Sequence, residues 1–157
     1  FLLVEGVTYE PAEGSCYDQR KLSELDGQEV AHSIDRIVNL PVDDGSPLRS
    51  LTQPIAVDSG VEHAFALELQ NRGDVLCFAK LPSGFKVPTP VGTYNPDWVI
   101  IKNDSQGEPK LYLVRETKDT LAEEALSESE RYKIRCARKH FKALGVDYAV
   151  CVTSDQV

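Results

Sequence analysis

Two apolar, β-branched runs in the middle of the chain predict neighbouring strands. The first covers residues 98–101 and the second residues 110–117, and both are rich in the residue types that favour strands. The polar residues 103–109 between them include Gly and Pro and are typical of a hairpin loop. The sequence therefore predicts that the two strands pair antiparallel.

Two further stretches predict helices. The first begins at a capping box, in which the Ser59 hydroxyl accepts from the backbone N–H of Glu62 while the Glu62 side chain reaches back. The second has early acidic residues, an apolar stripe at three- and four-residue spacing, and Gly145 just beyond its end. We therefore expect helices over residues 59–71 and 122–144, on opposite sides of a sheet.

The remaining apolar runs complete an α/β pattern. Residues 75–79 and 146–152 are predicted strands, and the second is apolar on both faces, which favours a position inside the sheet. A right-handed crossover through the second helix would make it parallel to the strand at 111–117. The Pro- and Gly-rich residues 88–94 predict a loop. We expect a mixed β-sheet flanked by helices, with residues 1–55 as a connecting subregion.

The composition is that of an ordinary globular domain, but the charge bears on its partners. The chain has 157 residues, of which 41% are hydrophobic and 27% charged, enough for one domain with a substantial core. Its net charge of −8 argues against a general nucleic-acid coat protein, because phosphate binding normally needs a basic surface. The charge does not exclude a phosphate-binding site in which carboxylates hold a divalent ion, because the ion then supplies positive charge.

Cysteine and histidine spacing gives no sign of a structural metal. The cysteines lack a Cys-x-x-Cys pair and are expected to be free thiols, and no histidine has a companion at ligand spacing. The residues concerned are Cys16, Cys77, Cys136, Cys151, His32, His63 and His140. No apolar run approaches the roughly 18 residues of a membrane helix, so no membrane partner is expected. The chain lacks an initial Met and is expected to be a piece of a longer protein.

Three charged residues at the predicted hairpin carry the candidate chemistry. Asp97 starts the first strand and Glu116 lies near the end of the second, so antiparallel pairing brings the two carboxylates together. Glu116 and Lys118 project from the same face, roughly 7 Å apart. Two carboxylates with open coordination positions suit Mg²⁺, and a nearby lysine can orient or help deprotonate an attacking water. Taken alone, however, the trio is better explained as a surface salt bridge on an edge strand.

The spacing of the trio and the motifs around it resemble a known family. Pro-Asp followed after eighteen residues by Glu-x-Lys is the signature of the PD-(D/E)XK nucleases. The surrounding motifs are Lys80-Leu81-Pro82-x-x-Phe85, residues 89–98, residues 111–118 and Glu130-x-x-Lys133-Ile134-x-Cys136-Ala137-x-x-His140-Phe141. From about residue 59 to 152, the chain is similar to the C-terminal endonuclease domain of the restriction subunit of type III restriction-modification enzymes.

This resemblance implies a fold, a reaction and a set of site residues. A restriction-endonuclease-like fold is expected for residues 56–157, with Mg²⁺-dependent hydrolysis of DNA phosphodiester bonds. Asp97 and Glu116 would bind one or two Mg²⁺ ions together with the backbone carbonyl of Thr117 and water. Lys118 would position the nucleophilic water.

Two acidic residues beside the trio have open roles. Glu62 resembles the acidic residue that the first helix of such domains directs toward the metal, although the simpler interpretation is that it only caps the helix. Asp119 stands where a small residue, often Gly, is expected after the lysine. Its carboxylate would either weaken the Glu116–Lys118 ion pair or add a distant ligand.

A basic stripe on the second predicted helix is the candidate DNA contact. The stripe consists of Arg131, Arg135, Arg138 and Lys142, with Lys133 and Lys139 nearby; the residues taken as candidate DNA contacts are Lys133, Arg135 and Arg138. The charge is of one sign in an otherwise acidic chain, although a charged helix face is usually just the solvated one. Lys80 and Lys86, which flank an earlier turn, have the same two interpretations.

The resemblance also implies partners in a larger enzyme. Double-stranded DNA would be the substrate, a modification subunit would recognise its sequence, and a helicase-like motor preceding residues 1–55 would require ATP. The expected location is the cytoplasm of a bacterium or archaeon. The alternatives are an inactive nuclease-like module that docks DNA or a partner, and an interaction domain with no nucleic-acid role.

Overall fold

The fold is built on a four-stranded mixed sheet. The computed structural model of the protein describes residues 6–10, 37–42, 45–107, 109–119, 122 and 125–157. In chain order its elements are β1 (Ile37–Val38), β2 (Ile55–Ala56), α1 (Gly60–Asn71), β3 (Val75–Lys80), β4 (Val87–Thr89), β5 (Gly92–Tyr94), β6 (Trp98–Asn103), β7 (Pro109–Thr117), α2 (Glu128–Ala143) and β8 (Asp147–Cys151). The central sheet has the spatial order β3-β6-β7-β8.

The strand pairing confirms the predicted hairpin. β6 and β7 are antiparallel, with Trp98 opposite Arg115 and Ile100 opposite Leu113, and β3 pairs antiparallel with the other edge of β6. β7 and β8 are parallel, as predicted for two strands joined by a helical crossover. The predicted mixed α/β fold is therefore confirmed.

The predicted loop over residues 88–94 is wrong, because the segment forms a small antiparallel hairpin of β4 and β5. Gly92 opens β5 with a φ of +109°, a conformation that residues with a side chain rarely adopt. Pro and Gly do exclude a helix here, but they are compatible with two three-residue strands. The hairpin ends at Tyr94, which places that side chain close to Asp97 in the chain.

α1 begins as predicted, but only half of its capping box forms. The Ser59 hydroxyl accepts from the backbone N–H of Glu62 at 3.2 Å. The Glu62 carboxylate does not return to Ser59 and accepts from the backbone N–H of Asp58 at 2.7 Å instead. Glu62 is thereby held at the start of α1 with its side chain buried.

α2 begins at Glu128, six residues later than the predicted start at residue 122. The physical reason is a second capping box that the sequence interpretation missed. The Ser127 hydroxyl accepts from the Glu130 N–H, and the Glu130 carboxylate accepts from the Ser127 N–H at 3.1 Å. This reciprocal pairing satisfies donors that a helix start leaves open, so it fixes where the helix begins.

The two helices cover opposite faces of the sheet, as predicted. Leu113 and Val114 are successive in β7 and therefore point to different faces, and each joins a different core. The core beneath α1 includes Val38, Leu40, Ile55, Phe65, Leu69, Trp98, Ile100 and Leu113. The core beneath α2 consists of Val87, Tyr94, Val114, Ala137 and Phe141.

The described part of the predicted connecting subregion is packed against the domain. Val38 and Leu40 are buried in the α1 core, and Ser50 forms a parallel bridge to Phe78 of β3. Backbone hydrogen bonds of 2.8 Å from Leu51 and 2.9 Å to Arg49 support that bridge. These residues therefore stabilise the sheet as well as connecting it.

The prediction that the last strand is internal to the sheet is wrong. Among the described residues, β8 is an edge strand that pairs only with β7. Its apolar character on both faces has a different cause, since Ala149 and Cys151 pack into the α1 core while Tyr148 packs into the α2 core. Coverage of both faces, rather than strands on both edges, explains the pattern.

The described cysteines are free thiols, as the sequence analysis predicted. Cys77, Cys136 and Cys151 are free cysteines, whereas Cys16 and His32 lie outside the described residues. In the described part of the chain, no helix has the length and apolar character needed to cross a membrane.

Removing the cap of α2 is expected to destabilise the fold modestly. Ser127→Ala should lower the free energy of unfolding by about 1 kcal/mol, because the Glu130 N–H loses its acceptor and the Glu130 carboxylate loses the Ser127 hydroxyl as a donor. Ser129→Ala, at an exposed site inside the same helix, is the matched control and should have little effect. Urea denaturation of both variants measures the difference, and equal stabilities would contradict the assigned cap.

Candidate active site

Asp97 joins the start of β6 to the end of β7. Its Oδ2 atom accepts hydrogen bonds from the backbone N–H and the hydroxyl of Thr117, each at 2.7 Å. The Trp98 indole lies 3.4 Å from the same hydroxyl and donates to it. Asp97 Oδ1 takes no part in these contacts. They place the carboxylate beside Glu116, as the predicted hairpin pairing requires.

Glu116 is buried and held by two different groups. Its Oε2 accepts from the Tyr94 hydroxyl at 2.6 Å, and its Oε1 lies 3.0 Å from the Lys118 ammonium. Burial and, after it, the neighbouring Asp97 charge raise the pKa of Glu116 to about 7 against the opposing effects of Tyr94 and Lys118. Burial likewise raises the pKa of Asp97. The two carboxylates therefore share a site that resists double negative charge.

Lys118 lies between two carboxylates. Its Nζ is 3.0 Å from Glu116 and 3.3 Å from Glu130 of α2. Burial disfavours the charged form, but Glu116 and then Glu130 outweigh it and raise the pKa of Lys118. Lys118 is therefore a stable ammonium that can donate hydrogen bonds, rather than a base that removes a proton.

Glu62 and Lys80 form a second charged group at the same site. The Lys80 ammonium contacts Glu62 Oε2 directly and lies 2.9 Å from Asp58 Oδ2. The Lys80 side chain is only 16% exposed, so the expectation of a solvated lysine is wrong for this residue. Lys86, by contrast, is exposed.

Asp97, Glu116, Lys118 and Glu62 line one cavity of about 350 Å³ between the end of β7 and the start of α2. Its lining is mainly polar and includes Ser59, Glu62, Asp97, Glu116, Thr117, Lys118, Asp119 and Glu130. Asp119, the residue at an expected small position, thus lies at the site. The structure brings the predicted trio together with both acidic neighbours in this cavity.

The donor set fits one hard divalent cation. Asp97 and Glu116 are oxygen donors whose pKa values are raised mainly by burial and further by neighbouring carboxylates, so a cation beside them would stabilise their charged forms. No cluster of three or more His, Cys, Asp or Glu side chains arranged to hold a metal occurs among the described residues. A cation here would therefore depend on two carboxylates, backbone oxygen and water.

The three candidate DNA-binding residues lie outside this cavity. Lys133 and Arg135 are partly exposed on α2, and Lys133 Cε lies 3.9 Å from where a Cβ would stand at Gly92. Arg138 is exposed and lines a separate cavity of about 410 Å³ with Lys142 and Tyr148. They form a face beside the site rather than part of it.

From the sequence, no role was assigned to three residues that help to hold the trio in place, which are Tyr94, Glu130 and Tyr148. Tyr94 bonds Glu116 and lies 2.6 Å, hydroxyl to hydroxyl, from Tyr148 of β8; Tyr94 stands within the motif quoted around Asp97, which was the available signal. Glu130 could have been found from its position three residues after Ser127. Tyr148 carries no local signal, because its role depends on the parallel pairing of β8.

Of the three histidines, His63 and His140 lie in the described part of the chain. His140 is buried, with its ring 5.1 Å from that of Tyr9 and 5.0 Å from that of Phe141, and burial lowers its pKa. His63 is exposed on α1. Neither lines the cavity that holds Asp97 and Glu116.

Comparison with known proteins gives one match, and it covers the whole site. A family model described as an endonuclease domain matches residues 48–155, which include the sheet, both helices and every residue of the trio. Neither the search of curated proteins nor the search of solved structures gives a significant match. Because the matched span exceeds half of the chain, this protein belongs to the endonuclease domain family, and its domain is restriction-endonuclease-like.

Proposed function

We propose that this domain is a Mg²⁺-dependent endonuclease that hydrolyses DNA phosphodiester bonds as the cleavage module of a type III restriction enzyme. The observation that carries the proposal is the meeting of Asp97, Glu116 and Lys118 in one cavity. Membership of the endonuclease domain family supports the reaction class. The type III assignment depends on the motif order in the sequence.

Asp97 and Glu116 are the proposed metal ligands, with the Thr117 backbone carbonyl and water completing the set. A bound Mg²⁺ would supply Lewis-acid stabilisation of the charge that builds up on phosphorus and on the leaving 3′ oxygen. The Thr117 N–H and hydroxyl hold Asp97 through Oδ2, and Tyr94 holds Glu116 through Oε2. Each ligand is thus oriented by a hydrogen bond before any ion arrives.

Lys118 is proposed to position the attacking water and to offset negative charge on the phosphate. Its ammonium is held between Glu116 and Glu130, and its raised pKa keeps it protonated. It therefore acts as a hydrogen-bond donor to water or to a phosphate oxygen. The proton of the water has to leave to another acceptor, such as solvent or the phosphate itself.

The basic face of α2 is proposed to contact the DNA backbone through Lys133, Arg135 and Arg138. These residues lie on α2 outside the cavity and would neutralise phosphates beyond the cleaved bond. With a net charge of −8, the domain would bind DNA weakly by itself. The proposed partners are accordingly a sequence-recognising modification subunit and an ATP-driven motor in the same enzyme.

Loss of Lys118 should abolish cleavage without affecting the motor. In the assembled enzyme with its modification subunit, ATP and Mg²⁺, Lys118→Ala should slow DNA cleavage by about 10²–10³-fold, the usual effect of removing one charge-stabilising donor. ATP hydrolysis should be unchanged. Lys102→Ala, a lysine at the opposite end of β6, is the control. Cleavage that survives Lys118→Ala would mean that the trio is structural.

Stability of the metal-free domain should fall as the pH rises. The folded state keeps the Glu116 proton to about pH 7, whereas the ordinary pKa of a glutamate is 4.5, so the folded state binds more protons between these values. The corresponding stability is fully present below pH 4.5 and is lost as the pH passes 7, by about 3 kcal/mol.

Urea denaturation in EDTA at pH 5 and pH 8 measures this change. Glu116→Gln should remove most of the pH dependence, whereas Glu128→Gln, at an exposed site, should retain it. Mg²⁺ should restore stability to the wild type at pH 8 but not to Glu116→Gln. An unchanged slope in Glu116→Gln would contradict the assigned cause.

Neutralising the basic face should weaken DNA binding and its salt dependence. Replacing Lys133, Arg135 and Arg138 with Gln should reduce the slope of log K against log salt by about one for each lost phosphate contact. Fluorescence anisotropy in a cleavage-deficient Lys118→Ala background measures it, with Lys102→Gln as control. An unchanged slope would assign the three residues to an ordinary solvated face.

A further inference from the structure

Lys80 is an unusual lysine, because most of its side chain is shielded from solvent and its ammonium pairs with Glu62, which lines the cavity that holds Asp97 and Glu116. Its side chain is 16% exposed, and its ammonium contacts the Glu62 carboxylate, whose side chain is 9% exposed. The second partner, Asp58, is 2.9 Å away but 77% exposed. Burial disfavours the charged form of Lys80, and the two carboxylates outweigh it and raise its pKa. Lys80 therefore remains charged next to the proposed metal site.

The sheet fixes Lys80 beside Asp97. Lys80 ends β3 directly opposite Trp98 in β6, and the backbone N–H of the next residue, Leu81, donates to the Asp97 carbonyl at 2.7 Å. Glu62 and Lys80 both act on the Asp97 carboxylate electrostatically, in opposite directions. Glu62 is thus near enough to Asp97 to serve the same site, and it is engaged by Lys80.

One oxygen of the Glu62 carboxylate already accepts two hydrogen bonds. Glu62 Oε2 accepts both from Lys80 and from the Asp58 backbone N–H, the latter at 2.7 Å. An oxygen with two donors has little capacity left for a cation. A second divalent ion at Glu62 would also have to stand close to the Lys80 ammonium, and like charges repel strongly at a buried site.

The charges of the cavity also favour a single divalent ion. Glu62, Asp97 and Glu116 are its three inner carboxylates, and Lys80 balances the first of them. Lys118 is shared between Glu116 and Glu130. With the exposed Asp119 left to solvent, Asp97, Glu116 and Glu130 set against Lys118 leave about two negative charges, which one divalent ion neutralises.

We infer that Lys80 holds Glu62 outside the metal coordination sphere and so restricts this site to a single divalent cation. Lys80 occupies, as a fixed monovalent charge, the position in which a second metal would otherwise balance Glu62. It is a positioning residue and does not touch substrate. The inference rests on the proposed metal-dependent function and specifies its ion stoichiometry.

The number of bound ions tests this directly. Mn²⁺, a paramagnetic ion with the same preference for oxygen ligands as Mg²⁺, is titrated into the whole chain while free Mn²⁺ is measured by electron paramagnetic resonance. The wild type should bind one ion. Lys80→Gln should bind two, because it frees Glu62 and removes the repelling charge.

Two further variants separate this effect from general damage. Lys80→Gln combined with Glu62→Gln should return to one ion, since the ligand for the second ion is gone and no unpaired carboxylate stays buried. Lys102→Gln removes a lysine of similar exposure, 18%, that is paired with Asp74, and should still bind one ion. Circular dichroism melts with and without Mn²⁺ provide a second measurement, in which Lys80→Gln should gain more thermal stability from Mn²⁺ than the wild type.

The outcomes distinguish the inference from the function on which it rests. Two ions in the wild type, or one ion in a folded Lys80→Gln chain, would overturn the role of Lys80 alone. If Lys80→Gln does not fold, the double variant and Lys80→Arg decide: both should bind one ion, and two ions in either would overturn the inference. Absence of Mn²⁺ binding in the wild type would overturn the proposed metal site and this inference with it.

Discussion

The double hydrogen bond from Thr117 to Asp97 is the constraint on which the site depends. It joins the first residues of β6 to the last residues of β7, at 2.7 Å for both the N–H and the hydroxyl. Without it, the two ends of the hairpin could splay apart, and the two carboxylates would separate and become hydrated. The joint itself is rigid because Trp98, which contacts the same hydroxyl, is fully buried in the α1 core. Packing in the core is thereby transmitted to the spacing of the charges.

This rigidity has an electrostatic cost that the surroundings only partly offset. Glu116 is 5% exposed, and water cannot solvate it as it would a surface glutamate. Tyr94 and Lys118 each stabilise its charge, but burial and Asp97 dominate and raise its pKa to about 7. Strain of this kind is common where charged groups are held for chemistry rather than for folding. The proposed cation would remove the cost, so folding stability and metal affinity would be coupled in this domain.

Local pattern was enough to predict the elements, but not their surroundings. Strands, helices and the 97–116 hairpin follow from alternation, spacing and turn residues, each of which is written within a few residues of sequence. Lys80 shows what local pattern misses. Its position near a turn is typical of a surface lysine, but the pairing of β3 with β6 and the position of α1 leave its side chain only 16% exposed. The role of Tyr148 and the edge position of β8 were not predicted for the same reason. A strand covered on both faces has the same apolar pattern wherever it lies in the sheet. Residues 88–94 fail differently, since Pro and Gly exclude a helix without deciding between a loop and a short hairpin.

The distribution of charge along α2 reconciles an acidic chain with a nucleic-acid substrate. Its first turn carries Glu128 and Glu130, and Glu130 faces the cavity, where it holds Lys118. Basic residues follow along the same helix, away from the cavity. Negative charge is thus concentrated where a divalent cation would balance it, and positive charge lies where phosphates outside the reaction centre would pass. Net charge describes the sum of these two regions and conceals their separation, so an overall charge of −8 is a weak guide to what the domain can bind. If the proposed function holds, the affinity of the domain for DNA would depend on whether the cavity is occupied, because an empty cavity would repel the phosphate that an ion-loaded cavity would attract.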